Sequence, residues 1–326
     1  MKSNFLKSNQ SIQDSNKLSS TQLGDNFPLV SVLIPLYNHE EYILDTLESV
    51  ITQDYPNLEI VVIDDASKDN GLQLAKNKLS SIRFDCTILE NEVNKGVCAT
   101  INRAVSNANG KYTCLIASDD LLAKGRIKKH IQILEKSTDS AVIACHGPIQ
   151  VFESGNPHFS TIEILKGGSN HTFASVLTKK SKITLQGCTF VTKKLKRLPF
   201  DENLYFEDWD FFIRLFLNNY KIISDKNISA HYRKHARGSN LNIVKMIESR
   251  NKIREKYFKL IALKDKKLAN SFNFTVKYWN FIGMSYQDNK IVWFFVLIKL
   301  FFSNPINMIK KLRDTFWAFR NLLKVK

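Results

Sequence analysis

From Leu29 onward, short apolar runs alternate with stretches of helical period. VSVLIPL is rich in β-branched residues, and the following NHEEYILDTLESVITQ puts Tyr42, Ile43, Thr46, Leu47 and Val50 on one helical face. Asn38 and Glu41 have capping-box spacing, which predicts a helix start at Asn38. LEIVVID, FDCTILEN, KYTCLIAS and AVIACHG read as further strands. KDNGLQLAKNKL, GVCATINRAVSNA and AKGRIKKHIQILEKS read as helices between them. Strands alternating with helices of roughly 10–15 residues indicate right-handed βαβ units. The strand runs are apolar throughout, as expected of strands covered on both faces. The expected fold class is therefore α/β, a Rossmann-like, mostly parallel sheet flanked by helices.

The pattern weakens elsewhere. Residues 1–27, rich in Ser, Asn, Gln and Lys, read as a flexible tail. Residues 146–200 are less regular, Tyr205–Asn219 reads as a helix, and from Ile243 the chain is helical and basic. The expected organisation is a domain over 28–240 followed by a basic helical region over 241–326.

Composition narrows the class. The chain has 326 residues, of which 44% are hydrophobic and 24% charged, which excludes a disordered or collagen-like protein. Five cysteines at irregular spacing exclude a disulfide framework and a zinc knuckle, and point to a reducing, cytoplasmic compartment. The N-terminal stretch has no apolar core of the kind a secretory signal needs. The net charge is +16, but it is unevenly spread. Residues 241–326 carry 18 Lys/Arg against 5 Asp/Glu, and the first 240 carry 29 against 26. The excess is a local patch suited to an anionic surface.

Ligands of an open parallel sheet gather beyond the carboxyl ends of its strands. Here those ends carry Pro35-Leu36-Tyr37-Asn38, then Asp64-Asp65-Ala66-Ser67, then Ser118-Asp119-Asp120. The first turn, PLYNHEE, has no glycine, and neither a Walker A nor a dinucleotide fingerprint occurs in the chain. Diphosphate, if bound, would need a divalent cation, and carboxylates such as Asp119 or Asp120 suit Mg²⁺ or Mn²⁺.

Taken together, VSVLIPLYNHEEYILDTLESVITQDYPNLEIVVIDDASKDN, NKGVCATINRAVSNANGKYTCLIASDD and FEDWDFFIRL resemble a family 2 glycosyltransferase of the GT-A type over roughly residues 30–240. The resemblance implies an inverting enzyme that moves a sugar from a nucleotide diphosphate, uridine by family habit, to a glycan or lipid-linked acceptor. It implies that Pro35 and Tyr37 pack the base, and that Asp64 or Asp65 contacts base or ribose. Lys95, Gly96 and Asn102 would line the nucleotide-sugar pocket. Asp119 and Asp120 would hold the Mn²⁺ or Mg²⁺, with His235 as third ligand or diphosphate contact and Arg233 neutralising phosphate. Glu207-Asp208 matches the base motif, with Asp208 as general base, and Gly187 in LQGCTF matches an acceptor loop. The chain departs from the family pattern twice: DDAS stands for DDGS, and Ala117 replaces the first carboxylate of DxDD.

Two rival readings are weighed against this one. A nucleotidyltransferase would want a glycine- and basic-rich loop after the first strand, which PLYNHEE does not supply. A degenerate module that binds nucleotide or glycan without turnover is favoured by Ala117. At the C-terminus, Ile291–Phe302 is too short and too interrupted by Lys299 to span a bilayer. Ile309, Leu312, Phe316, Phe319 and Leu323 form an apolar stripe on a basic helix, which reads as a peripheral contact with an anionic membrane, or else as a homodimer contact. No nucleic-acid-binding motif accompanies the basic patch.

Overall fold

The computed structural model describes residues 27–153, 163–165, 171–205, 207–235 and 242–284. Both the N-terminal tail and the amphipathic stretch beyond residue 284 lie outside the described residues.

The strands are β1 (Val30–Leu36), β2 (Leu58–Asp64), β3 (Asp85–Glu90), β4 (Tyr112–Leu115), β5 (Leu121–Leu122), β6 (Val142–His146), β7 (Ile149–Glu153), β8 (Glu163–Leu165), β9 (Cys188–Val191), β10 (Lys221–Ser224) and β11 (Ala230–Lys234). The helices are α1 (Ile43–Ile51), α2 (Gly71–Leu79), α3 (Val97–Ser106), α4 (Arg126–Lys136), α5 (Phe173–Leu177), α6 (Thr192–Leu195), α7 (Glu207–Leu217), α8 (Ile243–Lys264) and α9 (Lys266–Met284).

Among the described residues, a seven-stranded sheet runs β10-β6-β9-β4-β1-β2-β3. Only β9 is antiparallel to its neighbours, β4 and β6. The expectation of a mostly parallel sheet is met. β9 enters after a 3₁₀ turn, Leu185–Gly187, inside the stretch whose pattern is irregular. A smaller sheet, β5-β11-β7-β8, adds two antiparallel pairings around the parallel β11–β7 pair.

β1 pairs with β2 from Val30↔Leu58 to Leu36↔Asp64 and with β4 from Val30↔Tyr112 to Leu33↔Leu115. The carboxyl ends of these three strands therefore open on one rim. Val32, Ile34, Ile60, Val62 and Cys114 are buried, and α1 closes over this side of the sheet with Ile43, Leu47 and Val50. That stripe is the one expected, but the helix start is not. Tyr42 precedes the first helical residue and no side chain caps it. Asn38 instead takes a left-handed backbone, φ 54°, and bridges to the neighbouring loop. Its N–H donates to Ser67 Oγ, and its Oδ1 accepts from the Lys68 N–H.

The opposite rim is held by a buried carboxylate. Glu59 accepts hydrogen bonds from the Ser31 hydroxyl, the Asn109 N–H and side-chain amide, and the Gly110 N–H. These bonds outweigh burial and hold its carboxyl below the usual carboxylate range.

The chain divides into two units. The first takes the described residues within Met1–Ser169, Ile183–Phe200 and Tyr220–Lys234, and the second those within Asn170–Lys182, Asp201–Asn219 and His235–Lys326. A single cut at residue 240 does not describe this division. The reason lies in the second unit, where α7 is bound to α8. The buried Asp210 accepts from the Tyr257 hydroxyl at 2.6 Å, from Lys256 Nζ at 2.9 Å and from Arg214 Nε at 2.7 Å. Trp209 fixes α7 to α5 by donating from Nε1 to the Val176 carbonyl at 2.9 Å.

Candidate active site

At the rim of the first unit, Pro35 lies half-buried in β1, and Tyr37 follows it 42% exposed, an aromatic face open to solvent. The two aspartates after β2 have different partners. Asp65 is saturated: Oδ1 accepts from Asn91 Nδ2 at 2.7 Å and from the Lys95 N–H at 2.8 Å, and Oδ2 accepts from the Gly96 N–H at 2.9 Å. It thereby shapes the Lys95–Gly96 loop, where Gly96 adopts φ 85°. Asp64 is 2% exposed, and its Oδ2 accepts from the Ser67 N–H at 2.9 Å. Its Oδ1 is buried without a hydrogen-bond partner among the described residues. An unpartnered buried oxygen of this kind is costly unless a ligand satisfies it.

The acidic turn after β4 is tightly built. Thr46 Oγ1, on α1, lies 2.9 Å from the Ser118 carbonyl and 2.8 Å from that of Asp120, and shares its proton between them. Asp120 is fully buried. Its Oδ1 accepts from the Arg233 N–H at 2.9 Å and its Oδ2 from Gln186 Nε2 at 3.3 Å. Burial, with Asp119 beside it, raises its pKa well above the ordinary carboxylate value. Asp119 is only half-buried, and its Oδ2 stands 3.7 Å from His39 Nε2, while His39 Nδ1 pairs with Ser118 Oγ at 2.8 Å. The donor set in this unit that fits a divalent cation is thus Asp119 with His39, and Asp120 braces the turn.

Other expected residues are engaged within the protein itself. Asn102 clasps the backbone of Phe200 in both directions, at 3.0 and 2.7 Å, beside a depression of about 390 Å³ lined by Val105, Leu195 and Leu198. The Arg233 guanidinium is committed to protein: Nε donates to the Asp119 carbonyl, Nη2 to Asp45, and its plane lies over Tyr42 and Phe152. A side chain on Gly187 would stand 2.6 Å from His146 Nε2 and 2.9 Å from the Gly147 carbonyl oxygen. The space left by its missing side chain is filled by His146, so packing alone already requires a glycine there. Arg126, buried at the start of α4, fixes the same turn by donating to the Gln186 and Cys188 carbonyls.

In the second unit Asp208 sits half-buried near the start of α7, beside the Glu207 that opens the helix. Burial raises its pKa, against the opposing pull of Lys179 and the Trp209 N–H. Asp208 Oδ1 is buried with no hydrogen-bond partner among the described residues. His235 follows directly on the last residue of β11 and belongs to the second unit.

Sequence reasoning missed His39, Gln186 and Lys179, and read Thr46 only as part of the helical stripe. His39 lay in the quoted PLYNHEE, and an imidazole at the rim was a usable signal. The other three act through tertiary neighbours that no local spacing reveals.

A family description, glycosyl transferase family 2, matches residues 31–198, and the chain belongs to that family. RT0329 of Rickettsia typhi (strain ATCC VR-144 / Wilmington), an uncharacterized glycosyltransferase, is 27% identical over 212 residues, 64% of this chain and 64% of the relative. TuaG of Bacillus subtilis (strain 168), named as a candidate teichuronic acid biosynthesis glycosyltransferase, is 34% identical over 107 residues, 33% of this chain and 42% of TuaG. The chain thus spans less than two thirds of the length of these relatives. Among solved structures, S. aureus TarS 1-349 in complex with UDP-GlcNAc aligns with a TM-score of 0.60 at 20% identity, covering 83% of this chain and 80% of that one. The mannosyltransferase PcManGT from Pyrobaculum calidifontis, in complex with GDP-Man and Mn²⁺, aligns with a TM-score of 0.58 at 18% identity, covering 91% and 85%. At these identities the likeness is one of fold, and the fold is GT-A.

Proposed function

We propose that the chain is an inverting glycosyltransferase that moves a sugar from a nucleoside diphosphate donor to a hydroxyl of a glycan or lipid-linked acceptor in surface polysaccharide assembly. The observation that carries this reading is Asp64 Oδ1, a buried acceptor without a donor among the described residues, on the rim that also bears Tyr37 and Asp119. A carboxylate oxygen in that setting suits an imide N–H, which uracil offers at N3. Tyr37 supplies a face for the base to lie on. The UDP-GlcNAc and GDP-Man bound by the two structural neighbours support a nucleotide-sugar at this rim, and the name of TuaG supports a polysaccharide product.

Asp119, with His39 beside it and His235 assigned by motif, would hold Mn²⁺ or Mg²⁺; the mixed oxygen and imidazole donors favour Mn²⁺. Such an ion, when bound, would supply positive charge to balance that on the diphosphate leaving group. Asp208 is assigned as the base: its carboxylate takes the acceptor O–H proton as that oxygen bonds the anomeric carbon and the bond to diphosphate breaks. Its Oδ1, buried and without a hydrogen-bond partner among the described residues, supports that role. The basic C-terminal region supports a peripheral contact with anionic lipid. The competing reading is a binding module without turnover, favoured by Ala117 and by the engagement of both Asp120 oxygens.

Calorimetry with UDP and GDP in Mn²⁺ or EDTA, followed by donor hydrolysis over a panel of UDP-, GDP- and dTDP-sugars, separates these readings. Wild type should bind a nucleoside diphosphate and release it slowly from one donor. Asp64→Ala should weaken nucleotide binding by about 5- to 150-fold, the equivalent of an unmatched buried polar group. Asp119→Ala should abolish the Mn²⁺ dependence. Nucleotide binding without hydrolysis of any donor, and without transfer to glycan, would favour the module, and absence of nucleotide binding would sink the reading.

A further inference from the structure

The turn after β4 has Ala117 where the resembled DxDD motif has its first carboxylate, so one oxygen donor is missing from it. A donor from another element stands close by. His39, in the turn after β1, sets Nε2 3.7 Å from Asp119 Oδ2. Two donors on one ion, each about 2.1 Å from it, lie between about 3.0 and 4.2 Å apart as the angle between them opens. The observed spacing falls in that range. The imidazole is also held in place. Its Nδ1 pairs with Ser118 Oγ at 2.8 Å, and the ring meets Tyr42 edge-on at 5.9 Å. The His39 carbonyl accepts the Tyr42 and Ile43 N–H groups that lead into α1. Ser118 is itself buried, so the hydroxyl that orients the ring is fixed. When Nδ1 donates to that hydroxyl, Nε2 turns its lone pair towards Asp119, which is how a neighbour prepares a histidine for a metal.

We propose that His39 stands in for the carboxylate lost at Ala117, as a ligand of the divalent cation beside Asp119, and that it selects Mn²⁺ over Mg²⁺. The inference rests on the reading of Asp119 as a metal ligand and deepens it. Mg²⁺ is a hard ion that takes oxygen donors, whereas imidazole suits transition-metal ions. Neighbouring charges on both segments are engaged elsewhere. Asp120 accepts from the Arg233 N–H and from Gln186, and the Arg233 guanidinium binds the Asp119 carbonyl and Asp45. Glu40 accepts from the Asn70 N–H, and Asp69 from the Glu40 and Gly71 N–H groups. Glu41 and Lys124 lie exposed.

The test titrates the full chain with MnCl₂ in the presence of UDP and reads the bound ion by electron paramagnetic resonance. Spin-echo modulation of bound Mn²⁺ should show coupling to an imidazole nitrogen, and that coupling should weaken or vanish in His39→Asp and His39→Asn. His39→Asp supplies an oxygen donor, so the Mg²⁺ needed to displace half of the Mn²⁺ should fall by about 10-fold or more. Ser118→Ala, which frees the ring to turn, should lower Mn²⁺ affinity by about 10- to 100-fold. Coupling of full strength in both His39 variants would place the imidazole at another residue and overturn the proposal. So would an unchanged Mg²⁺ requirement in His39→Asp. Bound Mn²⁺ without nitrogen coupling in wild type overturns it as well, and is the result expected of a plain ion pair between His39 and Asp119. Wild type that retains no Mn²⁺ with UDP is the separate case in which the metal reading of the site falls together with this one.

Discussion

Ala66 holds a backbone φ of 60° in the turn after Asp65, the position at which the resembled DDGS motif has glycine. The methyl group disfavours this left-handed conformation, so the substitution is a local strain kept in place by its neighbours: Asp64 and Asn38 both bond to Ser67. Ala66→Gly should raise stability to urea by about 1 kcal/mol, read from the unfolding midpoint at unchanged slope. A fall would show that the chain entropy added by glycine outweighs the strain relieved. At this scale the motifs located the site but did not divide its roles. Asp64 and Asp65 are equivalent in the string VVIDDAS, yet one shapes a loop and the other keeps an oxygen free. Asp119 and Asp120 divide in the same way, because the Arg233 amide and Gln186 come from remote parts of the chain to occupy Asp120. Partners distant in sequence decide which carboxylate of a pair is spare, and such partners leave no periodic trace.

The elements that were legible are those with enough residues to show a period. β1, β2, β4 and β6 are apolar along their length because both faces of the sheet are covered, and α1 shows its buried stripe. β9 and β11 have four and five residues, too few for a period, and they lie in stretches dominated by turns. α7 was foreseen as a helix, but its union with α8 depends on a buried ionic cluster around Asp210 that no hydrophobic pattern announces. The Glu59 knot at the far rim is of the same kind and carries a pH prediction. Its folded pKa is depressed, so its stabilisation is present above the unfolded value of about 4.3 and is lost as pH falls through the lower folded value. Glu59→Gln removes that titration. The stability gap between wild type and variant should be widest near neutrality and shrink in acid, as measured by urea unfolding across pH 3–7. A gap that stayed constant would mean that the Glu59 pKa does not fall on folding.

The charge of the whole molecule is concentrated in its C-terminal quarter. Residues 241–326 carry 18 Lys/Arg against 5 Asp/Glu, and the rest of the chain is close to balance. Within this region α8 exposes apolar as well as basic side chains, with Leu263 86% and Val244 53% exposed. No helix among the described residues is long and apolar enough to cross a membrane. A basic residue close to an anionic leaflet contributes about 1 kcal/mol, and that attraction fades within a Debye length. The full chain should therefore sediment with phosphatidylglycerol-containing vesicles at low salt, be released as salt rises, and ignore vesicles of phosphatidylcholine alone. Paired Lys→Glu changes at exposed positions of α8, such as Lys252 and Lys259, should weaken that binding and leave nucleotide affinity intact. Equal binding to neutral vesicles, insensitive to salt, would assign the contact to the apolar side chains. No binding to either would leave the basic region to a protein partner, with the homodimer as the first assembly to weigh by sedimentation.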